Sequence, residues 1–255
     1  MFIDTHCHLQ FSQYRNDLNL VIERAFKNGI KYIINVGTNY EDSVRSIEIA
    51  EKYDNVFTSV GVHPHDSEKM NDYEFDKIME LLNMRKVIAI GEIGLDYFRN
   101  YSPREVQKKV FIRFLNLAEE KDFPVIIHNR SATEDIMKVM NEETGGKLKG
   151  VMHCFSGDKA IAKEIIEMGF YISFTGNITY EKYRNIDVIR SIPIDKILIE
   201  TDSPFLTPEP KRNERNEPLN VKFIAEKIAQ IKDLSIEDVG RITSENACKI
   251  FNLKE

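Results

Sequence analysis

The chain has 255 residues, 42% hydrophobic and 30% charged, a composition that excludes wholesale disorder. No run approaches the roughly 18 consecutive apolar residues of a membrane span, and the opening MFIDTHCHLQ lacks the basic region and apolar core of a secretory signal. With 35 basic against 41 acidic side chains, the net charge of −6 excludes a protein that coats nucleic acid non-specifically, which would be basic. Three cysteines (Cys7, Cys154, Cys248) form no CxxC pair, so a disulfide framework is not expected and a reducing cytoplasm is.

Short apolar runs alternate with longer amphipathic segments. In chain order the reading is strand 2–4, helix 17–27, strand 31–36, helix 41–53, strand 56–62 and strand 87–94. It continues with helix 103–121, strand 125–128, helix 132–142, strand 151–154, helix 159–168, strands 170–174 and 196–201, and closing helices 219–232 and 235–250. The strands are continuous apolar runs, as parallel strands covered on both faces require. Helix 103–121 is the clearest, with Val106, Val110, Phe114, Leu117 and Ala118 at helical spacing. Ser102 and Glu105 are expected to form its capping box, with Pro103 at the first helical position. Eight such units in one chain of this size predict a (β/α)8 TIM barrel, a single hydrolase domain over residues 1–255. A doubly wound open sheet is the structural alternative.

The histidines cluster at strand ends. His6 and His8 end the first strand, His63 and His65 the third, His128 the fifth and His153 the sixth, and none falls in a predicted helix. Glu92 lies in the fourth strand and Asp202 follows the eighth. In a barrel these ends open on one face. Residues two apart on a strand share a side, so His6 and His8 can meet one ion while Cys7 faces away. Taken singly, each histidine is equally readable as hydrogen-bonded rim structure, and Asp202 as a turn aspartate. Together they read as ligands, because an apolar interior accepts several titratable groups only when an ion or mutual pairing compensates them. Imidazole and carboxylate suit zinc, manganese, iron, cobalt or nickel, and the carboxylates also admit magnesium.

The number of ligands suggests two divalent ions (Mg, Mn or Zn). His6, His8 and Asp202 are assigned to one, His128 and His153 to the other, and Glu92 bridges them. Ions about 3.5–4 Å apart can share and activate a water. Asp202 would then also accept its proton as general base, and Glu92 and Asp202 are the predicted catalytic pair.

The motifs extend along the chain: Asp4-Thr5-His6-Cys7-His8-Leu9, Gly61-Val62-His63-Pro64-His65, Gly91-Glu92-Ile93-Gly94-Leu95-Asp96 and Ile127-His128-Asn129-Arg130. Further along come His153-Cys154-Phe155-Ser156-Gly157, Glu200-Thr201-Asp202-Ser203-Pro204, Arg215-Asn216-Glu217-Pro218 and Glu245-Asn246-Ala247. In this order and spacing the chain resembles the TatD family of metal-dependent deoxyribonucleases, within the amidohydrolase-like barrel superfamily. The resemblance implies the same six ligands, His6, His8, Glu92, His128, His153 and Asp202. It also implies hydrolysis of DNA phosphodiester bonds, commonly from the 3′ end of single strands.

Substrate contacts are expected from Arg212 and Arg215, whose guanidinium forks match phosphate oxygens, and from His63 and Arg130. Tyr97, Phe98 and Tyr101 could stack on bases. Single-stranded DNA ends are thus the expected partner, with no membrane and no obligate protein partner. The alternative is an amidohydrolase-type enzyme acting on an amide, ester or lactone. The resemblance weighs against it, since many such relatives bridge two metals with a modified lysine and the fourth strand here offers Glu92. A metal-bound scaffold without catalysis is the third reading, and an open six-ligand site argues against it.

Overall fold

The computed structural model describes residues 1–143 and 148–254. Strand β1 (Phe2–Cys7) leads through α1 (Leu18–Lys27) to β2 (Ile30–Val36), then α2 (Tyr40–Lys52), β3 (Val56–Val60), α3 (Asp72–Leu81) and β4 (Val87–Asp96). Next come α4 (Arg104–Lys121), β5 (Val125–Arg130), α5 (Thr133–Glu143), β6 (Gly150–Met152), α6 (Lys159–Glu167), β7 (Tyr171–Phe174), α7 (Ile186–Ser191) and β8 (Ile197–Ile199). Helices α8 (Val221–Lys232) and α9 (Ile236–Phe251) follow. The eight strands pair in parallel in the order β1 to β8, giving the expected (β/α)8 barrel.

Period-two alternation divides the apolar side chains of the strands between two cores. Ile33, Ile90, Val125, Ile127, Ile197 and Ile199 belong to the larger core, which also holds Val110, Phe111, Phe114 and Leu117 of α4. Ile34, Ala89, Ile126, Val151 and Leu198 instead fill the barrel interior, together with Ala247, Ile250 and Phe251 of α9. Helix α9 therefore seals the end at which the strands begin. The same alternation directs His128 inward two residues after Ile126, and His153 two residues after Val151.

Side chains and single backbone bonds close the barrel between β8 and β1. Thr5 Oγ1 donates to the Ile199 carbonyl at 3.1 Å. The Thr201 N–H and hydroxyl both donate to the Asp4 carboxylate, at 2.8 and 2.6 Å. Burial pushes that carboxyl up to about 8 even against these bonds. The Asp202 N–H then reaches the His6 carbonyl at 2.8 Å, and the His8 N–H reaches Ser203 at 2.7 Å. Because Thr201 turns to Asp4, β8 stops at Ile199, short of the predicted 201.

Three further details depart from the sequence reading. The Ser102–Glu105 capping box does not form: Pro103 is the N-cap, and no side chain caps the helix. Ser102 Oγ instead donates to the His65 carbonyl at 2.9 Å and accepts the Glu68 N–H at 3.1 Å, tying two loops of the barrel mouth together. Helices α3 and α7 were not anticipated. Helix α3 carries its own capping box, Asn71 with Glu74, and buries Phe75 and Ile78; α7, with 6 residues, is too short to show a period. His65 lies in a 3-10 turn, Pro64–Asp66, rather than at the end of a strand, since β3 ends at Val60.

Gly94 sets the distance between β4 and β5. It pairs with His128, its φ is 141°, and a Cβ there would lie 2.0 Å from the His128 carbonyl oxygen. Gly94→Ala is expected to destabilise the chain by at least about 2 kcal/mol, through left-handed strain and overpacking. Denaturant unfolding checks this, and an unchanged midpoint would mean that the strands can part at no cost.

Candidate metal centre

His6 and His8 project inward from β1 while Cys7 joins the outer core, as the two-residue spacing requires. His6 Nε2 lies 3.2 Å from His8 Nε2, 3.4 Å from Glu92 Oε2 and 3.7 Å from Asp202 Oδ1. His8 Nε2 lies 3.4 Å from Asp202 Oδ1 and 3.8 Å from Glu92 Oε2. Donors at the corners of a tetrahedron around a first-row ion stand about 3.3–3.6 Å apart, and His6, His8 and Asp202 form one group spaced to hold an ion, with Glu92 Oε2 beside both rings. His8 Nδ1 lies 2.9 Å from the Val36 carbonyl, to which it must donate, leaving Nε2 free for the centre. Phe11 stacks flat on the His8 ring at 4.8 Å and holds its plane.

Glu92 reaches this position because the β4–β5 register slips between Ile90 and Ile93, which keeps both isoleucines in the outer core and turns Glu92 inward. Its other oxygen, Oε1, is 2.7 Å from His128 Nδ1, 2.9 Å from His153 Nε2 and 3.6 Å from His63 Nε2. His128 Nδ1 and His153 Nε2 are 3.3 Å apart. Glu92 thus offers one oxygen to each donor group. Two carboxylates absent from the predicted site support these rings. Asp96 Oδ2 is 3.2 Å from His128 Nε2 and 2.9 Å from His65 Nε2, and Glu200 Oε1 is 3.3 Å from His153 Nδ1.

His63 has a different chemistry from the other rings. Its Nδ1 accepts the His65 N–H at 3.1 Å, so in the neutral ring the proton sits on Nε2, the atom that faces Glu92. Burial holds its pKa well below the usual histidine value. It is therefore a neutral N–H donor aimed into the centre.

The electrostatics show how tightly the groups depend on one another. Burial alone would raise the pKa of Glu92, but His153, His63, His6 and His128 hold it well below the carboxylate range. Burial likewise opposes the ionised form of Asp202, and His8, His6 and His153 overcome it and depress the pKa. Against burial, the neighbouring carboxylates raise His8, His128 and His153, whereas burial dominates for His6 and lowers it. Two carboxylates stay ionised inside the barrel mouth, compensated only by imidazoles that could instead give their lone pairs to cations.

All six predicted ligands converge here. Five of them, His8, Glu92, His128, His153 and Asp202, line a cavity of about 810 Å³ at the strand ends, which His63 and Arg130 also line, while His6 is fully enclosed behind it. A larger hollow of about 1040 Å³ at the opposite end is lined by residues such as Tyr32, Phe57 and Phe251 and by no histidine. Arg212 and Arg215 are not brought to the cavity. Arg215 forks onto the Asp17 carboxylate at 2.8 and 2.7 Å and donates to the Gln13 carbonyl at 2.6 Å, so its nitrogens are committed to α1 and the loop before it. Arg212 lies over the Tyr180 ring at 3.5 Å. Tyr97 turns away to donate to Asp135 at 2.6 Å, while Phe98 and Tyr101 stay exposed and Arg130 lies over Phe98 at 4.2 Å.

A (β/α)8 barrel with histidine and carboxylate donors converging at the C-terminal ends of its strands defines the class of the molecule. The family model described as TatD related DNase matches residues 3–252, and the chain belongs to that family. It is 44% identical over 254 residues to the uncharacterized metal-dependent hydrolase YabD of Bacillus subtilis, covering 99% of this chain and 100% of that one. It is 33% identical over 258 residues to the Salmonella typhimurium protein named 3′-5′ ssDNA/RNA exonuclease TatD, covering 98% of each. Among solved structures, the TatD homologue YJJV of Escherichia coli superposes with a TM-score of 0.93 at 29% identity, covering 99% of this chain and 98% of that one.

His6→Ala and Glu92→Ala are each expected to retain fewer divalent ions than the parent after exhaustive dialysis, with unchanged circular dichroism. Elemental analysis reads the result, and parent-level ion content in either variant would remove that residue from the centre.

Proposed function

We propose that this metal-dependent hydrolase acts in the cytoplasm as a deoxyribonuclease, removing nucleotides from the 3′ ends of single-stranded DNA with two divalent ions (Mg, Mn or Zn). The observation that carries the reading is the division of Glu92: Oε2 faces His6 and His8, and Oε1 faces His128 and His153. The name of the Salmonella relative supports the substrate and polarity.

Ions bound at such a pair of sites would acidify a water and stabilise the attacking and leaving oxygens of an in-line displacement. The protein's own groups do the rest. Asp202, kept anionic by His8 and His6, takes the proton of the attacking water. His63 Nε2–H donates to a phosphoryl oxygen without adding a proton that could be lost. Arg130 and Arg99 line the mouth and draw the phosphate backbone in. Phe98, Tyr101 and Phe205 expose 60%, 63% and 47% of their surface around that mouth, where bases can stack.

The test is an activity panel on metal-stripped protein refilled separately with Mg, Mn and Zn. Each form receives 3′-labelled and 5′-labelled single-stranded DNA, a simple ester and a lactone. Metal-dependent shortening from the 3′ end, with the carbon-centre substrates untouched, is expected; turnover of ester or lactone with intact DNA would transfer the site to carbon-centre chemistry. Asp202→Asn should keep most of its bound metal yet lose at least ~10²-fold in rate, the usual contribution of a positioned base. Parent kinetics in that variant would end the proton-accepting role.

A further inference from the structure

Glu200 is a buried carboxylate that the mechanism above leaves unused. It shares inward parity with Leu198 and Asp202 and is 1% exposed. Its Oε1 accepts the Cys154 N–H at 2.7 Å and faces His153 Nδ1 at 3.3 Å. Its Oε2 has no hydrogen-bond partner, and neither does His6 Nδ1, which is also buried. A carboxylate oxygen and an imidazole nitrogen are seldom both left unpaired in one interior.

The two orphans belong to one cluster. The His6 and His153 rings stack with centroids 4.1 Å apart and 15° between their planes. His6, His153 and Glu200 bring candidate ligand atoms within 4.8 Å of one another. Both rings already direct Nε2 toward Glu92, His6 at 3.4 Å and His153 at 2.9 Å, which leaves each Nδ1 for another partner.

The geometry points to Glu200 as a positioning residue shared by the two donor groups, taking the Nδ1–H of His153 on Oε1 and offering its unpaired Oε2 to the unpaired Nδ1–H of His6, a bond that would form as the ions draw each Nε2 to the centre. Each such bond fixes the tautomer that frees the Nε2 lone pair and makes it more basic. One carboxylate thereby sets a ligand for each ion, and the two ion sites are coupled behind the centre as well as through Glu92 in front. This inference rests on the reading that both groups hold ions.

The experiment is calorimetric titration of the metal-free full chain with Mn²⁺, in the parent and in Glu200→Gln. The glutamine keeps an oxygen for the Cys154 N–H and His153 but sets an amide N–H₂ against His6, where two donors repel. The parent should bind two equivalents. The variant should bind one with parental affinity and the other about 10–100-fold more weakly, with the melting temperature of the metal-free protein unchanged. Glu200→Asp keeps both acceptor oxygens and should fall between the two; it also preserves the test if the glutamine variant does not fold. Parental affinity for both equivalents in Glu200→Gln would overturn the inference and leave the two-ion reading intact. Equal weakening of both, together with a lower metal-free melting temperature, would overturn it in favour of a general structural role. A parent chain that takes up no ion would bring down the two-ion reading and this inference together.

Discussion

An ionised carboxylate fully enclosed among imidazoles is the constraint on which the site rests. Glu92 is 3% exposed, and its negative charge would be intolerable there without compensation. His6, His63, His128 and His153 supply it from four different parts of the chain. Behind the rings of the centre, Asp96, Glu200 and the Val36 carbonyl hold His128, His153 and His8. The centre is thus a nested set of groups satisfied largely by one another.

The barrel makes this arrangement affordable by separating its two ends. At the end where strands begin, α9 inserts Ala247, Ile250 and Phe251 into the interior, so stability comes from apolar packing. At the other end the same inward positions change from Ile, Val and Leu to His, Glu and Asp within two residues, as in Ile126 to His128, Val151 to His153 and Leu198 to Glu200. Chemistry and packing therefore share the same strands without competing for positions. The exposed rings of Phe98, Tyr101 and Phe205 lie outside both layers on loops, and Arg130 reaches the same mouth from the last position of β5.

Much of this was legible in the sequence, for identifiable reasons. Parallel strands buried on both faces leave dense apolar runs, and the His-x-His spacing of β1 states its own geometry. What was not legible depends on partners far away in the chain. Nothing local to Asp4 announces that it closes the barrel by binding Thr201, 197 positions on. Arg215 looks like a free phosphate clamp until Asp17, 198 positions earlier, occupies its fork. Asp96 and Glu200 appear as ordinary acids beside stronger motifs, and only the folded arrangement shows which rings they hold. Ser102 followed by Glu105 was a sound local capping signal, overruled when the hydroxyl found His65 and Glu68.

The chain positions of the ligands also order their assembly. Glu92, His128 and His153 come from β4, β5 and the turn after β6, with separations of 36 and 25 residues. His6 and His8 meet Asp202 only when the first and eighth strands join, across a span in which Thr5 and Ile199 are 194 residues apart. Closing so long a loop carries a larger entropic toll and belongs late in folding. The group around His8 therefore forms only when the first and eighth strands have met, which makes it a molecular record that the barrel has closed.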